Sequence, residues 1–347
     1  MTLRKELEKN LRAAYARETG ISKSAVRFPE KLIRVEGTLS DIRLSLTKEA
    51  VTANMQTNAA AFEAWSLILR VWCDAKSVAL TWDRPEPPYS DKQYYNPHYE
   101  RFLYRVAQFS TLFSDWFAYE DRAKDLDLAR SLNADNLTLN VAGTRPQTAV
   151  GCERADGVKI KAEAALELML CFSKEFAKFF GLDRSRVDRQ LPVGLFEGAV
   201  AKSHRVFTGG KSAIDLVAMA GSSLWLFELK AGKNISAGAL SELLFYTSLI
   251  RDVREGHIDF ENGGANTMRV SPSDIRSCSA IEAVLLAEKI HPLVGHSKIV
   301  ETLNNAADRA WNRGGKASIR FHAASVSGDN PTQFVRVAAE PLMTGKV

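Results

Sequence analysis

The sequence lacks the features of a membrane-embedded or secreted protein. Its 347 residues include no run of about 18 apolar residues, the length that a membrane-spanning helix requires. The N-terminal segment MTLRKELEKNLRAAYAR is charged throughout, and it has no apolar stretch of the kind found in a signal peptide. We therefore expect a protein with no membrane partner.

Cysteine is sparse, and its positions argue against a structural metal site. The four residues show no CxxC spacing and no clustering with histidine: Cys73, Cys152, Cys171 and Cys278. Because a structural zinc ion needs four closely grouped ligands, we expect no zinc. Few, scattered thiols in a long chain fit the reducing cytosol, so we expect a cytoplasmic location.

The motifs of nucleotide hydrolases and of several other enzyme classes are also missing. The sequence has no P-loop, no GxGxxG turn, no GxSxG elbow and no HExxH pair, which argues against a motor or an NTPase within this chain. The formal net charge of +5 is mildly basic. It is compatible with nucleic-acid binding and does not by itself indicate it.

The length and the hydrophobic patterning predict two domains. A chain of 347 residues exceeds one typical domain, and the Gly/Pro/Thr-containing stretch 142–157 separates two patterned regions. We predict an α+β N-terminal domain over residues 1–150 that serves sensing, recruitment or oligomerisation. The second domain is expected over residues 158–347.

An aromatic stripe follows Pro97, which we expect to be the first residue of a helix. Its members recur every three or four residues: Tyr99, Phe102, Val106, Phe109, Phe113 and Trp116. Such a seam packs against another helix, either in the same domain or in a partner subunit. From it we predict that the N-terminal domain supports self-association, as a homodimer.

In the second region, the patterning predicts the order helix, three strands, helix, strand. The expected segments are a helix over Ile160–Phe180, strands over Arg189–Phe196 and Lys202–Thr208, a hairpin over Ser212–Lys230, a helix over Ile235–Arg251 and a strand over Ile281–Ala287. Segments of this kind, with strands and helices in alternation, predict an α/β domain with a mixed sheet.

The hairpin SAIDLVAMAGSSLWLFELK carries charged residues where strands usually have none. Asp215 interrupts the first apolar strand, and Glu228 and Lys230 close the second. Side chains alternate along a strand, so Glu228 and Lys230 share one face and Leu229 lies on the other. The surrounding apolar residues indicate strands covered on both faces. Buried carboxylates and a buried ammonium are costly unless they are paired or bind a metal, so these residues suit a hard cation and a phosphate.

This pattern resembles the PD-(D/E)xK nuclease superfamily, which has a restriction-endonuclease-like αβββαβ core. Asp215 matches the Asp of the signature, with Ile214 in the place of Pro, and Glu228-Leu229-Lys230 matches (D/E)xK. Downstream, Glu242 and Tyr246 resemble the QxxxY element of RecB-type nucleases, with Glu242 replacing Gln. The resemblance covers roughly residues 160–290.

The resemblance implies a metal-dependent nuclease that acts on DNA, with Mg²⁺ as cofactor and Mn²⁺ as a possible substitute. Asp215, Glu228 and the carbonyl of Leu229 would bind the cation, and Lys230 would lie beside the metal-bound water and the scissile phosphate. A further acid is common in the family. The candidates are Glu163, Glu167 and Glu175 on the first helix and Glu197 at the end of a strand. We expect Glu197 to take this role, with Glu167 in reserve.

Other residues are expected to contact nucleic acid or to support catalysis. Glu242 and Tyr246 are four apart and share a helix face, which the resemblance places over the site, where they would contact Lys230 or the DNA backbone. His204, Arg205 and Lys211 are candidates for phosphate contacts. The family's habits imply a role in restriction or antiviral defence.

Three alternatives remain open at this point. Asp215 and Lys230 could form a structural ion pair at the rim of an ordinary sheet. The protein could be a non-catalytic nucleic-acid-binding or scaffold protein that retains the nuclease fold. It could also be a nuclease that acts on RNA.

Overall fold

The chain folds as a mixed α/β protein with open sheets. The computed structural model describes residues 2–20, 28–29, 31–85, 96–120, 123–141, 162–207, 212–232, 236–261, 268–327 and 333–337. Within these segments, no helix is long and apolar enough to cross a membrane.

The N-terminal region combines helices with a four-stranded sheet. Its helices are α1 (Leu3–Thr19), α2 (Lys48–Val51), α3 (Phe62–Trp72), α4 (Pro97–Leu112), α5 (Ala123–Leu128) and α6 (Arg130–Asn133). Its strands are β1 (Ile33–Gly37), β2 (Asp41–Leu46), β3 (Ser77–Trp82), β4 (Phe117–Tyr119) and β5 (Leu137–Leu139). The sheet order is β1-β2-β3-β4, with β1 antiparallel to β2 and the others parallel.

The C-terminal region contains the largest sheet. Its helices are α7 (Ala162–Phe172), α8 (Lys174–Phe180), α9 (Gly238–Glu255), α10 (Pro272–Ser277) and α11 (Ser297–Ala310). Its strands are β6 (Val187–Pro192), β7 (Leu195–Glu197), β8 (Ala213–Ala220), β9 (Ser223–Lys230), β10 (Asp259–Phe260), β11 (Ala280–Ala287), β12 (Ser318–Val326) and β13 (Phe334–Arg336).

The six-stranded sheet has the order β13-β12-β11-β9-β8-β6. Strands β6, β8 and β9 form an antiparallel meander, while β9, β11 and β12 run parallel. Gly221, with a φ of 58°, allows the two-residue turn between β8 and β9, because glycine adopts positive φ without steric cost. Alternate residues of β9 join two different apolar clusters, which confirms that this strand is covered on both faces.

Three predicted elements differ from the observed ones. The helix expected over Ile160–Phe180 is two helices, because the hydroxyl of Ser173 accepts the Phe176 N–H and begins α8 as a cap. The strand expected over Arg189–Phe196 divides into β6 and β7. The strand expected over Lys202–Thr208 is wrong in its described part. Residues Lys202–His204 form a 3₁₀ turn, with the His204 N–H bonded locally to Ala201.

The two predicted regions pack closely against each other. One cluster of buried apolar residues extends from Leu7 to Phe321, and β5 joins β7 and β10 in a three-stranded sheet. The Tyr104 hydroxyl donates to Asp252 Oδ2 at 2.7 Å, which ties α4 to α9. The expected boundary at 142–157 lies outside the described residues, and separate folding of residues 1–150 stays a prediction.

The aromatic stripe, which has four members in α4 and two in the turn after it, is part of this internal core. All six of its members are buried, and Phe109 contacts the rings of Phe62, Phe113 and Phe117. Because the stripe is covered by the chain itself, it is not available to a partner subunit. The observation that motivated the homodimer prediction therefore no longer supports it.

Candidate active site

The candidate site lies where β8 and β9 stop pairing through their backbones. Their antiparallel register runs from Ala220–Ser223 to Leu216–Phe227. At the next position, Asp215 Oδ2 accepts the Leu229 N–H at 2.7 Å. The Asp215 carboxylate therefore forms the hydrogen bond between β8 and β9 where backbone pairing ends. This bond holds the carboxylate at the end of the strands.

Lys230 lies at the centre of a group of carboxylates. Its Nζ atom is 2.5 Å from Glu228 Oε1, 3.1 Å from Glu242 Oε2 and 3.9 Å from Glu163 Oε2. Glu228 reaches it because residues two apart on a strand share a face. Lys230 is 3% exposed, so these charges interact in a poorly solvated environment.

Helix α9 brings Glu242 and Tyr246 to the same face of the sheet. Both side chains are buried, and they lie one turn apart, as the sequence predicted. Glu242 Oε2 has no hydrogen bond of normal geometry, although it lies 3.1 Å from the Lys230 ammonium. We interpret this contact as an ion pair between Glu242 and Lys230.

Glu167 of α7 supplies a further buried acid next to Asp215. It is 5% exposed, and its Oε2 atom accepts the Gln190 side-chain N–H at 2.8 Å. Gln190 lies between the pairs Arg189–Leu216 and Leu191–Ile214, which places it opposite Asp215. Its φ of 58° is unfavourable for a residue other than glycine, and such strain often accompanies a functional site.

Glu197, the acid that we expected to join Asp215, does not lie with this group. It closes β7, which pairs with β5 in the three-stranded sheet, and its carboxylate forms an ion pair with Arg130. The chain leaves the large sheet after β6, so Glu197 is carried to a different sheet. The structure places Glu167, the reserve candidate, beside Asp215 in its stead.

The residues expected to contact phosphate lie near β7. The His204 ring nitrogen Nδ1 is 3.0 Å from the Glu197 carbonyl oxygen, and Arg205 forms a backbone bridge with Phe196. Lys211 lies outside the described residues. His204 and Arg205 therefore belong to the neighbourhood of Glu197 and are not part of the buried cluster.

The charges of the cluster shift one another's protonation. Burial raises the pKa of Asp215 and of Glu228 well above the ordinary carboxyl values, and neighbouring carboxylates raise it further. Burial lowers the pKa of Lys230, but Glu228, Glu242 and Asp215 outweigh this effect and raise it above its ordinary value. Lys230 is therefore held as a cation.

The donor set suits a hard cation in its chemistry. Three carboxyl groups surround the Lys230 ammonium, and carboxylate oxygens are the ligands that Mg²⁺ prefers. Over the described segments, no three His, Cys, Asp or Glu side chains are arranged as a ready metal site. Since Mg²⁺ commonly uses one or two carboxylates and keeps several waters, the pair Asp215 and Glu228 is compatible with it.

A small cavity of about 10 Å³ adjoins Lys230. Its lining includes Ala287, Lys289 and His291, and its size approaches that needed for one water molecule. Asp215, Glu228 and Glu242 do not line this cavity, so it lies on the side of Lys230 away from the proposed metal ligands.

No protein-family model, no curated protein and no solved structure matches this chain. Any assignment of function therefore depends on the geometry and chemistry of the cluster.

Proposed function

We propose that the protein is a metal-dependent nuclease that hydrolyses phosphodiester bonds of DNA, with Mg²⁺ as its cofactor. The observation that carries the proposal is the meeting of Asp215, Glu228, Lys230 and Glu242 at one end of β8 and β9. Acids and a cation at one buried point supply the groups that phosphodiester hydrolysis needs.

The order of the elements supports the finer assignment to a restriction-endonuclease-like core. Helices α7 and α8 precede the meander β6, β8 and β9, helix α9 follows, and β11 then pairs in parallel with β9. This is the helix, three strands, helix, strand order of the PD-(D/E)xK superfamily, apart from β7 after β6 and from β10 and α10 between α9 and β11. A cytoplasmic role in restriction or antiviral defence belongs to the same proposal. The homodimer stays a prediction from the sequence, without a structural observation behind it.

Each residue of the cluster has a role that follows from its contacts. Asp215, Glu228 and the Leu229 carbonyl would hold Mg²⁺, which on binding would supply charge stabilisation and an acidified water. The Lys230 ammonium would lie beside the phosphate and neutralise part of its charge. Glu242 orients the Lys230 ammonium from the side of α9.

One observation favours a second candidate, a non-catalytic nucleic-acid-binding or scaffold protein. Lys230 is already paired with Glu228 and Glu242, so the cluster can exist as a structural ion-pair network. The two candidates differ in whether nucleotides are released.

The deciding test is a cleavage assay of the full chain on linear DNA, plasmid DNA and RNA, with Mg²⁺ or with a chelator. We expect DNA cleavage with Mg²⁺ and its loss in Asp215→Asn. Asp188→Asn is a matched control, because Asp188 is also a buried strand residue that accepts a backbone N–H, that of Val270 at 2.7 Å. Absence of cleavage by the wild type on every substrate would favour the scaffold candidate, and cleavage of RNA alone would correct the substrate.

A further inference from the structure

The N-terminal end of α9 is capped by a residue that lies far away in the sequence. Asn58 Oδ1 accepts the Ala237 N–H at 2.9 Å and lies 3.0 Å from Ser236 Oγ. The N-cap position of α9 is Ala237, whose side chain cannot form a cap. The first N–H groups of a helix need external acceptors, and Asn58 supplies one of them.

The same loop also touches the backbone of α9 directly. A Cβ atom at Gly238 would lie 2.3 Å from the carbonyl oxygen of Gln56, so only glycine permits this approach. The Ser236 hydroxyl donates to the same carbonyl at 2.7 Å. The segment that contains Gln56 and Asn58 therefore holds the start of α9 by hydrogen bonds and by close packing against Gly238.

Asn58 is itself held by the N-terminal region. Its carbonyl oxygen accepts the indole N–H of Trp65 at 2.8 Å, and Trp65 is buried in α3. One turn into α9, the Ser241 hydroxyl donates to Glu63 Oε2 at 2.8 Å, and Glu63 is paired with Arg105. The first turn of α9 is thus held at two positions, at Ala237 by Asn58 and at Ser241 by Glu63.

The residue that follows Ser241 is Glu242, which contacts the Lys230 ammonium. We propose that Asn58 is a positioning residue of the candidate active site, acting through the start of α9 to hold Glu242 against Lys230. The N-terminal region is then a working part of the site and not an appended module. The catalytic consequence rests on the proposed nuclease function, whereas the effect on Lys230 does not.

The test compares Asn58→Ala with a rescue variant and a matched control. Asn58→Asp keeps an acceptor oxygen and adds a charge that helix N-termini favour. Asn304→Ala is the control. The Asn304 side chain also links a helix to backbone groups, since it accepts the Phe321 N–H at 2.7 Å and donates to the Phe321 carbonyl oxygen at 3.1 Å. It lies on α11, away from the start of α9. Thermal melting first establishes that each variant folds.

Two readouts separate positioning from general stability. The first is the ¹H–¹⁵N signal of the Lys230 ammonium, assigned by its loss in Lys230→Met. The second is the cleavage rate, for which misplacement of a supporting group predicts a fall in kcat on the order of 10- to 100-fold with KM little changed. We expect Asn58→Ala to shift the signal and lower kcat, Asn58→Asp to restore both, and Asn304→Ala to change neither.

An unchanged Lys230 signal in Asn58→Ala would overturn the proposal, as would an equal change in Asn304→Ala. If the wild type cleaves no nucleic acid, the proposed function fails, and the Lys230 signal still decides the positioning role. If Asn58→Ala does not fold, Ser236→Ala replaces it under the same criteria, because it removes the hydroxyl that contacts Asn58 and Gln56 and that accepts the Gly238 N–H at the start of α9.

Discussion

Replacement of Lys230 by methionine should destabilise the protein, and the effect should depend on pH. The ammonium is the shared partner of Glu228 at 2.5 Å and Glu242 at 3.1 Å, and both carboxylates are almost fully buried. Lys230→Met retains much of the side-chain volume but leaves these acids without their cation. They must then remain charged in a poorly solvated place or take up protons.

The size of the effect follows from the cost of breaking a buried ion pair. Removal of one partner typically costs about 3–5 kcal/mol. For a chain of 347 residues, the unfolding entropy is roughly 0.7 kcal/mol per kelvin, so this cost lowers Tm by roughly 4–7 °C. This decrease in Tm is expected at pH 8 with a chelator, where no divalent cation can replace the ammonium.

The sign of the pH dependence is set by the carboxylates. Without Lys230, burial and mutual repulsion raise the pKa of Glu228 still further above its ordinary value, so the folded state binds protons more tightly than the unfolded state. The lost stability therefore returns as the pH falls, and the Tm deficit should be smaller at pH 5 than at pH 8.

Differential scanning calorimetry at both pH values provides the measurement. Lys178→Met is the control, because Lys178 is an exposed residue of α8, and it should change stability by no more than about 0.5 kcal/mol. If Lys230→Met melts at the wild-type temperature at pH 8, the stability of the fold does not depend on the Lys230 ammonium. The interpretation that this ammonium stabilises the buried carboxylates is then wrong.

Three further predictions concern pH and metal. Burial raises the pKa of Glu100 from 4.5 to about 7. The contribution of Glu100 to the free energy of unfolding is therefore complete below pH 4.5 and is lost as the pH rises through 7. The change in this free energy is about 3 kcal/mol. The neutral Glu100→Gln variant should show a smaller Tm difference between pH 5 and pH 8, and an equal difference would contradict this. Calorimetric titration should show that Glu228→Gln binds Mg²⁺ or Mn²⁺ at least about tenfold more weakly than the wild type, and equal affinities would remove Glu228 from the ligand set. Ca²⁺ should bind but support little cleavage, because its looser coordination positions water poorly.

The sequence was most informative where charge interrupts an apolar pattern. Asp215, Glu228 and Lys230 could be singled out because they stand in strands that are otherwise apolar, and Glu242 and Tyr246 because their spacing places them on one helix face. The structure brings all five to one region. A local pattern was enough here, since neighbours in a hairpin and on a helix meet without long-range information.

Residues whose position depends on distant pairing could not be found in this way. Glu197 was preferred to Glu167 because it ends an apolar segment, but β7 pairs with β5, about sixty residues earlier. Gln190 has no sequence signal, because its positive φ is imposed by the surrounding sheet. Asn58 is an ordinary loop asparagine until α9 packs against it. The aromatic stripe showed the correct period, but periodicity cannot distinguish an internal partner from an external one.

The balance of charge in the cluster is the best guide to why it exists. A purely structural network gains most when each buried acid has its own cation, because an unpaired buried charge is costly. Here the carboxyl groups of four buried residues lie together, with the half-exposed Glu163 beside Lys230: Asp215, Glu228, Glu242 and Glu167. The cations that interact with them in the described structure include Lys230, Arg189 and the buried Arg101. Replacement of such a set by apolar residues would be expected to stabilise the fold. Because burial raises the pKa of Asp215 and Glu228, these acids either hold protons or gain a further cation, and Mg²⁺ in that place is what the proposed nuclease requires.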